Sequence, residues 1–315
     1  MKKVYILCLM LLSCLPVSAY FENQDYSGRA AGMGNACTAY SGDVTLMFCN
    51  PSGAGFIERK SVAFSYSKLY AGVGDISNGY IAVALPLKEF LSIGVYYVGF
   101  GEDIFREKTY AVLLGFKQDL GGGQLFSLGV SVKNMVLELG QDPLIDANPY
   151  FAGKRAVSGF GLDVGATYRI KNVLSVGVAL QNLNQPDIFF VSSDPIPMKI
   201  KAGISLYAMQ GLAVNGDFAV AGSSWVASAG GEYNVNKSNF YTRLGGEYGS
   251  DSYSRLNAGI GYEYKMTDSG FTVSMDYGFV YPLSFVANTF GTHILSLSFK
   301  EIPKKTEKEV EEDVK

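Results

Sequence analysis

Few residues in this sequence are equipped for chemistry, and their types and spacing exclude most of it. His293 is the single histidine. A Ser-His-Asp unit elsewhere in the chain is therefore impossible, and so is a zinc site built on two or more histidines. On the strand phasing derived below, His293 shares the outward face of the last strand, which suits an interfacial residue. Asp163 and Asp276 fall on inward, polar faces, where carboxylates pair with Arg or Lys. No enzyme activity is expected, and no metal or cofactor is implied. The Gly32-x-Gly34 element is a poor nucleotide fingerprint. A dinucleotide loop follows a buried strand and opens a helix. Here polar Asp25, Ser27 and Arg29 precede it, and no Lys-Ser/Thr follows. Cys37 and Cys49 would close a loop of about a dozen residues if bridged, adding about 3 kcal/mol by restricting the unfolded chain. Two buried free thiols are the alternative.

The composition points away from a soluble enzyme. Charged residues make up only 17% of the 315 residues, against 48% apolar, where soluble domains carry about 25% charge. The 37 Gly and 21 Tyr suit an all-β chain with many tight turns and a wet–dry boundary. A net charge of −3 gives no footprint for nucleic acid.

The first residues read as an export leader, 1–19. Lys2 and Lys3 precede the apolar run Tyr5 to Leu15, and Val17-Ser18-Ala19 is a small-residue cleavage end. The run is too short for a membrane anchor. Leu11-Leu12-Ser13-Cys14 offers a lipoprotein-type alternative. With the leader removed, Cys37 and Cys49 are the remaining cysteines. No later stretch is long and apolar enough for a transmembrane helix.

From residue 61 the pattern turns to period two. Leu256, Ala258, Ile260, Tyr262 and Tyr264 alternate with Arg255, Asn257, Gly259, Gly261 and Glu263, so the two sets lie on opposite faces of a strand. Leu162, Val164, Ala166 and Tyr168 stand likewise against Asp163, Gly165, Thr167 and Arg169. The pattern predicts strands near 61–70, 78–87, 91–100, 107–117, 124–138, 157–169, 173–183, 197–207, 211–221, 225–234, 239–249, 253–265, 270–281 and 289–300. These are close to the ~10-residue length of a membrane β-strand.

Counted from the first strand, every even-numbered connection is short, and all the longer ones are odd-numbered, notably 139–156 and 184–196. Outer-membrane barrels have this asymmetry, with short periplasmic turns and longer external loops. A soluble sandwich would pack its apolar faces together. Against it stand the even strand count and the asymmetric turns. So do aromatic residues at both ends of apolar faces, such as Trp225 and Tyr233, and polar faces rich in Gly and Ser. The last segment places Leu295, Leu297 and Phe299 on one face, as barrel-assembly signals do. The tail 301–315 is charged and aromatic-free, and reads as a flexible periplasmic extension.

The run from Gly28 to Gly55, GRAAGMGNACTAYSGDVTLMFCNPSGAG, resembles the opening of FadL-like outer-membrane proteins, most closely the PorV-type branch and its uncharacterised relatives. Gly28, Arg29, Ala30, Gly32, Met33, Gly34 and Ala36 carry the likeness, followed by Asp43 and by Asn50, Pro51, Ser52 and Gly53. The later GFGLDVGATYRI, GVALQNLNQP and PMKIKAGISL also resemble that branch, so the likeness covers most of 20–300.

The resemblance implies an antiparallel transmembrane β-barrel of about fourteen strands (61–300) in the outer membrane of a diderm bacterium. It also implies an N-terminal plug (20–60) inside the lumen. Small side chains would let such a segment pack closely in a barrel, and Pro51 fixes a turn with Asn50 held extended before it. Phe48 and Phe56 would meet hydrophobic cargo or the wall. The apolar loop residues Ile145, Tyr150, Phe151, Phe189 and Phe190 need a reason to be exposed. They suit a surface groove for a lipid-like ligand, a docking face for a protein partner, or a lid packed on itself. The expected function is passive uptake of hydrophobic, long-chain-fatty-acid-like molecules. The alternative is a PorV-like scaffold that binds secretion-system proteins and transports nothing. Outer-membrane lipid is the expected surrounding.

Overall fold

In the computed structural model residues 25–302 are described, apart from 41, 150, 152, 172, 191, 192 and 285. The expected leader and all but the first two residues of the expected tail lie outside them. So does Tyr150.

Fourteen strands form one closed antiparallel barrel in sequence order. They are β1 (Ser61–Lys68), β2 (Ser77–Lys88), β3 (Leu91–Gly101), β4 (Phe105–Gly121), β5 (Gln124–Leu139), β6 (Ala156–Ile170), β7 (Leu174–Gln181), β8 (Lys199–Met209), β9 (Leu212–Ala221), β10 (Ser224–Asn234), β11 (Phe240–Gly249), β12 (Ser254–Met266), β13 (Phe271–Pro282) and β14 (Thr292–Glu301). Every sequence-predicted strand is present, with ends shifted by up to four residues. β1 pairs with β14 from Ser61↔Lys300 to Lys68↔His293, and this closure leaves no edge with unpaired backbone groups.

The polarity of the wall is inverted relative to a soluble protein. On β12 the exposed face carries Leu256, Ile260 and Tyr264, while Arg255, Asn257, Gly259 and Gly261 are buried inward. Other strands extend this apolar belt around the barrel with Leu244, Val130, Val176 and Ile204, all exposed. Among the described residues no helix is long and apolar enough to cross a membrane; the span is made by strands.

Aromatic clusters border the belt at both ends. Trp225 lies 5.9 Å from both Phe218 and Tyr248 at the loop end. At the turn end Phe90 meets Phe116 at 5.6 Å and Phe240 meets Tyr262 at 4.8 Å. Such rings belong at a membrane–water boundary. His293 faces outward in the loop-end girdle, where its Nδ1 lies 2.7 Å from the Tyr277 hydroxyl.

The two ends of the barrel differ as the sequence pattern predicts. Connections at the turn end are tight, as at Gly121 to Gln124, where Gly121, Gly122 and Gly123 all take positive φ. The loop end carries the long connections 140–155 and 182–198, although β9 and β10 are joined there by only two residues.

Leu244 sits in the middle of β11 and is 73% exposed. Replacing it with Arg should cost about 2–4 kcal/mol in a bilayer, measured by reversible unfolding from vesicles. A negligible cost would contradict the lipid-facing assignment.

Candidate functional site

The segment 25–57 lies inside the barrel against the inward faces of the strands. It is irregular chain with three short helical pieces, Gly28–Gly32, Val44–Leu46 and Pro51–Phe56. Buried irregular backbone must have its N–H and C=O groups satisfied, and side chains of the segment perform this locally. Asp43 caps the second piece by accepting from the Thr45 N–H at 2.8 Å. Asn50 caps the third by accepting from the Ser52 N–H at 3.1 Å, with Pro51 at its first position. The Asn50 amide also donates to the Thr38 carbonyl at 2.9 Å and the Val178 carbonyl at 3.2 Å, tying the segment to itself and to β7.

The wall approaches this segment backbone to backbone. Gly115, Gly129 and Gly165 are neighbours across β4, β5 and β6, and Gly230 faces Gly245 across β10 and β11. A Cβ at Gly129 would stand 2.2 Å from the Pro51 carbonyl carbon and the Ser52 nitrogen. At Gly245 it would stand 2.4 Å from the Gly34 nitrogen. No side chain fits at either place. The glycine-rich polar faces in the sequence are therefore the bed on which the internal segment lies.

Charge fixes one side of the segment. Arg29 binds Glu232 through two nitrogens at 2.7 and 2.9 Å, and pairs with Asp43. Glu232 also takes Arg243 at 2.7 Å, which in turn holds Asp276 at 2.7 Å. Arg255 bridges Asp25 at 2.8 Å and Glu247 at 2.7 Å. The Asp217 carboxylate accepts from the Cys37 and Thr38 N–H groups at 3.0 and 2.8 Å and from the Thr38 hydroxyl at 2.6 Å. Burial alone would raise the Asp43 carboxyl, but Arg29 and the two Thr45 donors outweigh it and hold it below its ordinary value. Asp163, the other carboxylate singled out in the sequence, pairs with Lys133 at 2.8 Å.

The opposite side, toward β2–β5, is aromatic. Tyr26 meets Phe48 edge-on at 5.0 Å, Phe48 meets Tyr80 at 5.8 Å, and Tyr80 meets Tyr96 at 5.9 Å. The Tyr80 hydroxyl donates to the Val44 carbonyl at 2.9 Å. Burial and nearby Glu107 push the Tyr26 phenol upward, so it stays neutral. A cavity of about 60 Å³ opens above this floor, bounded by Tyr26, Phe48, Tyr96, Lys133, Met135 and Gln181.

The two long loops pack on the loop-end part of β5. Ile188 and Ile196 are buried against Met135 and Leu137, with Phe105, Val157 and Phe190 packed around them. Phe151 meets Phe190 edge-on at 5.6 Å, joining the two long loops. Of the apolar loop residues singled out in the sequence, Phe151 and Phe190 pack on each other. Ile145 is half-buried on a short helix, Pro143–Ala147, and Phe189 is half-buried beside Phe190.

The sequence grouped Phe48 with Phe56, but the structure separates them. Phe56 lies at the turn end under the Arg169 guanidinium, 4.3 Å above its ring, and lines a wide vestibule of about 1290 Å³. Gly28, Arg29, Gly32, Gly34, Asn50, Pro51 and Gly53 are brought together along the segment, all buried except the half-buried Arg29. Cys37 and Cys49 are joined in a disulfide within it. Tyr26, Tyr80 and Tyr96 were missed. The signal for the last two was present: 80–85 and 95–98 are apolar on both faces, a departure from alternation that marks an apolar stretch of lumen. Among the described residues no group of three or more His, Cys, Asp or Glu is placed to hold a metal ion.

The family model described as "F plasmid transfer operon, TraF, protein" matches residues 103–278, more than half of the chain. The chain belongs to this TraF family. No curated protein matches it in sequence. The TraF-family barrel is similar in structure to the Pseudomonas putida toluene transporter TodX, with a TM-score of 0.61 at 11% identity, over 88% of this chain and 98% of that one. It is similar to a Pseudomonas aeruginosa FadL homologue, with a TM-score of 0.56 at 12% identity, over 86% and 97% of the two chains. The monoaromatic hydrocarbon channel CymD gives 0.57 at 14% identity, over 88% and 97%. The fold of this TraF-family chain is thus FadL-like.

Removing the Arg243 guanidinium by Arg243→Ala leaves Glu232 and Asp276 short of a partner inside the barrel. The barrel should lose about 3–5 kcal/mol, read by thermal or denaturant unfolding, and a loss near zero would contradict the anchoring role. The disulfide should protect both cysteines from alkylation in the unreduced, denatured chain, which mass measurement reads. Reduction should lower stability by about 3 kcal/mol.

Proposed function

We propose that this barrel resides in the outer membrane of a diderm bacterium and serves the passive uptake of hydrophobic small molecules. The internal segment acts as its plug. The observation that carries the reading is the cluster of Tyr26, Phe48, Tyr80 and Tyr96 on one side of the lumen, with the loop residues Ile188, Ile196 and Phe190 packed against Met135 and Leu137 of β5. A lumen that only sealed a hole would gain nothing from clustered aromatic rings on one side and buried charge on the other. The FadL-like neighbours support this reading, since TodX and CymD are described as a toluene transporter and a monoaromatic hydrocarbon channel.

Cargo would enter between the two long loops by parting Phe151 from Phe190, with Ile145 and Phe189 nearby. It would then rest on Phe48, pass the plug, and leave by the vestibule at Phe56. The present chamber of about 60 Å³ is too small for a long acyl chain, so lid opening precedes binding. Long-chain fatty-acid-like molecules are the proposed class, a choice supported by the clustered rings of Tyr26, Phe48, Tyr80 and Tyr96 and by the FadL-like fold.

One observation favours a second reading. The charged half of the plug is anchored by two ion clusters, one around Arg29 and Arg243 and one around Arg255. A static barrel of this kind suits a PorV-like scaffold for secretion-system proteins, and the TraF family description refers to a plasmid transfer operon.

Binding of a fluorescent fatty acid to the purified barrel separates the two. Uptake predicts saturable binding, weakened at least about tenfold in Phe190→Asp, since a charge replaces an apolar contact of the lid. Absence of saturable binding, together with co-purifying export proteins, would support the scaffold instead.

A further inference from the structure

We propose that the outward face of β2–β6 carries a lipid site, which takes the amide-linked acyl chain of a membrane lipid. A cavity of about 480 Å³ lies on this face, and neither the plug nor the two long loops lines it. The site requires only that the barrel spans a membrane, and it is independent of the uptake route.

Two cross-strand rows build the cavity. One is Val83, Val95, Val112 and Val132, each paired with the next from β2 to β5. The other, one step toward the loop end, is Ile81, Tyr97, Tyr110, Asn134 and Phe160, paired in the same way across to β6. On the turn side of the valines stand Leu85, Ile93 and Leu114. Short valines between two rows of longer side chains leave a trough. Three strand spacings of about 4.8 Å make it about 15 Å long, which suits an extended chain. Tyr97 leans away from it, since a Cβ on Gly99 would stand 2.6 Å from the Tyr97 hydroxyl. Tyr110 lies beside Tyr97 with the rings 5.1 Å apart, and Phe160, 66% exposed, forms the far wall.

Asn134 sets the chemistry of the occupant. The outward side chains of β5 from Phe126 to Val136 are all apolar except this one, and charge begins only at Glu138. Asn134 therefore projects from the lipid-facing belt, and among the described residues its amide makes no hydrogen bond. An amide in hydrocarbon without a partner is costly, and a polar side chain at that depth marks a functional position. A lipid ester offers only acceptors. An amide-linked chain brings an N–H as well, so it both donates to the Asn134 amide and accepts from it. A second barrel is convex and would bridge the trough rather than fill it.

Quenching of tryptophan fluorescence by lipids with a brominated acyl chain measures binding at a chosen place on the wall. Sphingomyelin and phosphatidylcholine share a head group and differ in linkage, amide against ester. In vesicles mixing the two, with one or the other brominated, a reporter at the trough wall (Phe160→Trp in a Trp225→Phe background) should prefer sphingomyelin by about tenfold. Native Trp225, on β10, should show no preference. Adding Asn134→Leu to the reporter chain should remove the preference, while the barrel melts no lower because a lipid-facing polar group has gone. Val112→Phe should remove it as well by filling the trough. The proposal is overturned by equal quenching of the Phe160→Trp reporter by the two lipids, by the same preference at Trp225, or by a preference that survives either substitution. Disulfide-linked dimers of Asn134→Cys in the vesicles would assign the face to a second copy instead.

Discussion

The contact between the internal segment and the bare backbone of the wall is the constraint on which the rest depends. Some thirty residues of irregular chain occupy a lumen, and they come close enough to the strands that Gly129 and Gly245 have no space for a Cβ. Such close packing gains dispersion energy only if no polar group is stranded. The caps at Asp43 and Asn50, and the Asp217 carboxylate beneath Cys37 and Thr38, meet that requirement. The disulfide lies in the same stretch and limits how far it can unravel.

The segment is held unequally on its two sides. Toward β10–β14 it meets buried Arg and Glu in a network where each charge has more than one partner. Removing one member strands another in a low-dielectric interior, so that side behaves as a unit. Toward β2–β5 it meets tyrosine and phenylalanine rings through non-directional contacts. Contacts of that kind re-form with a different apolar surface at little cost, whereas the ion network does not. The aromatic side is therefore the less firmly held of the two.

Membership of the TraF family and likeness to FadL-type barrels describe different things. The first rests on sequence over residues 103–278, which are wall and loops. The second is a likeness of folds at 11–14% identity, and a fold hosts many functions. What separates a conduit from a scaffold in such a barrel is the chemistry of the lumen rather than the overall likeness.

Much of the architecture was legible in the sequence. Period-two alternation in segments such as 253–265 located the strands, and the alternation of tight and long connections distinguished the two ends. These are local properties, set by side-chain direction along one strand and by turn chemistry, so a single chain displays them. Closure inverts which face is buried, and the small residues of 28–55 implied a filled lumen only through resemblance. Tertiary structure alone decided that Phe48 and Phe56 line different cavities and that Ile188 packs against Met135. It also decided that Arg29 joins Glu232, 203 residues away. Each depends on which distant strand a side chain meets across the lumen, and that is set by barrel closure and register rather than by any local pattern.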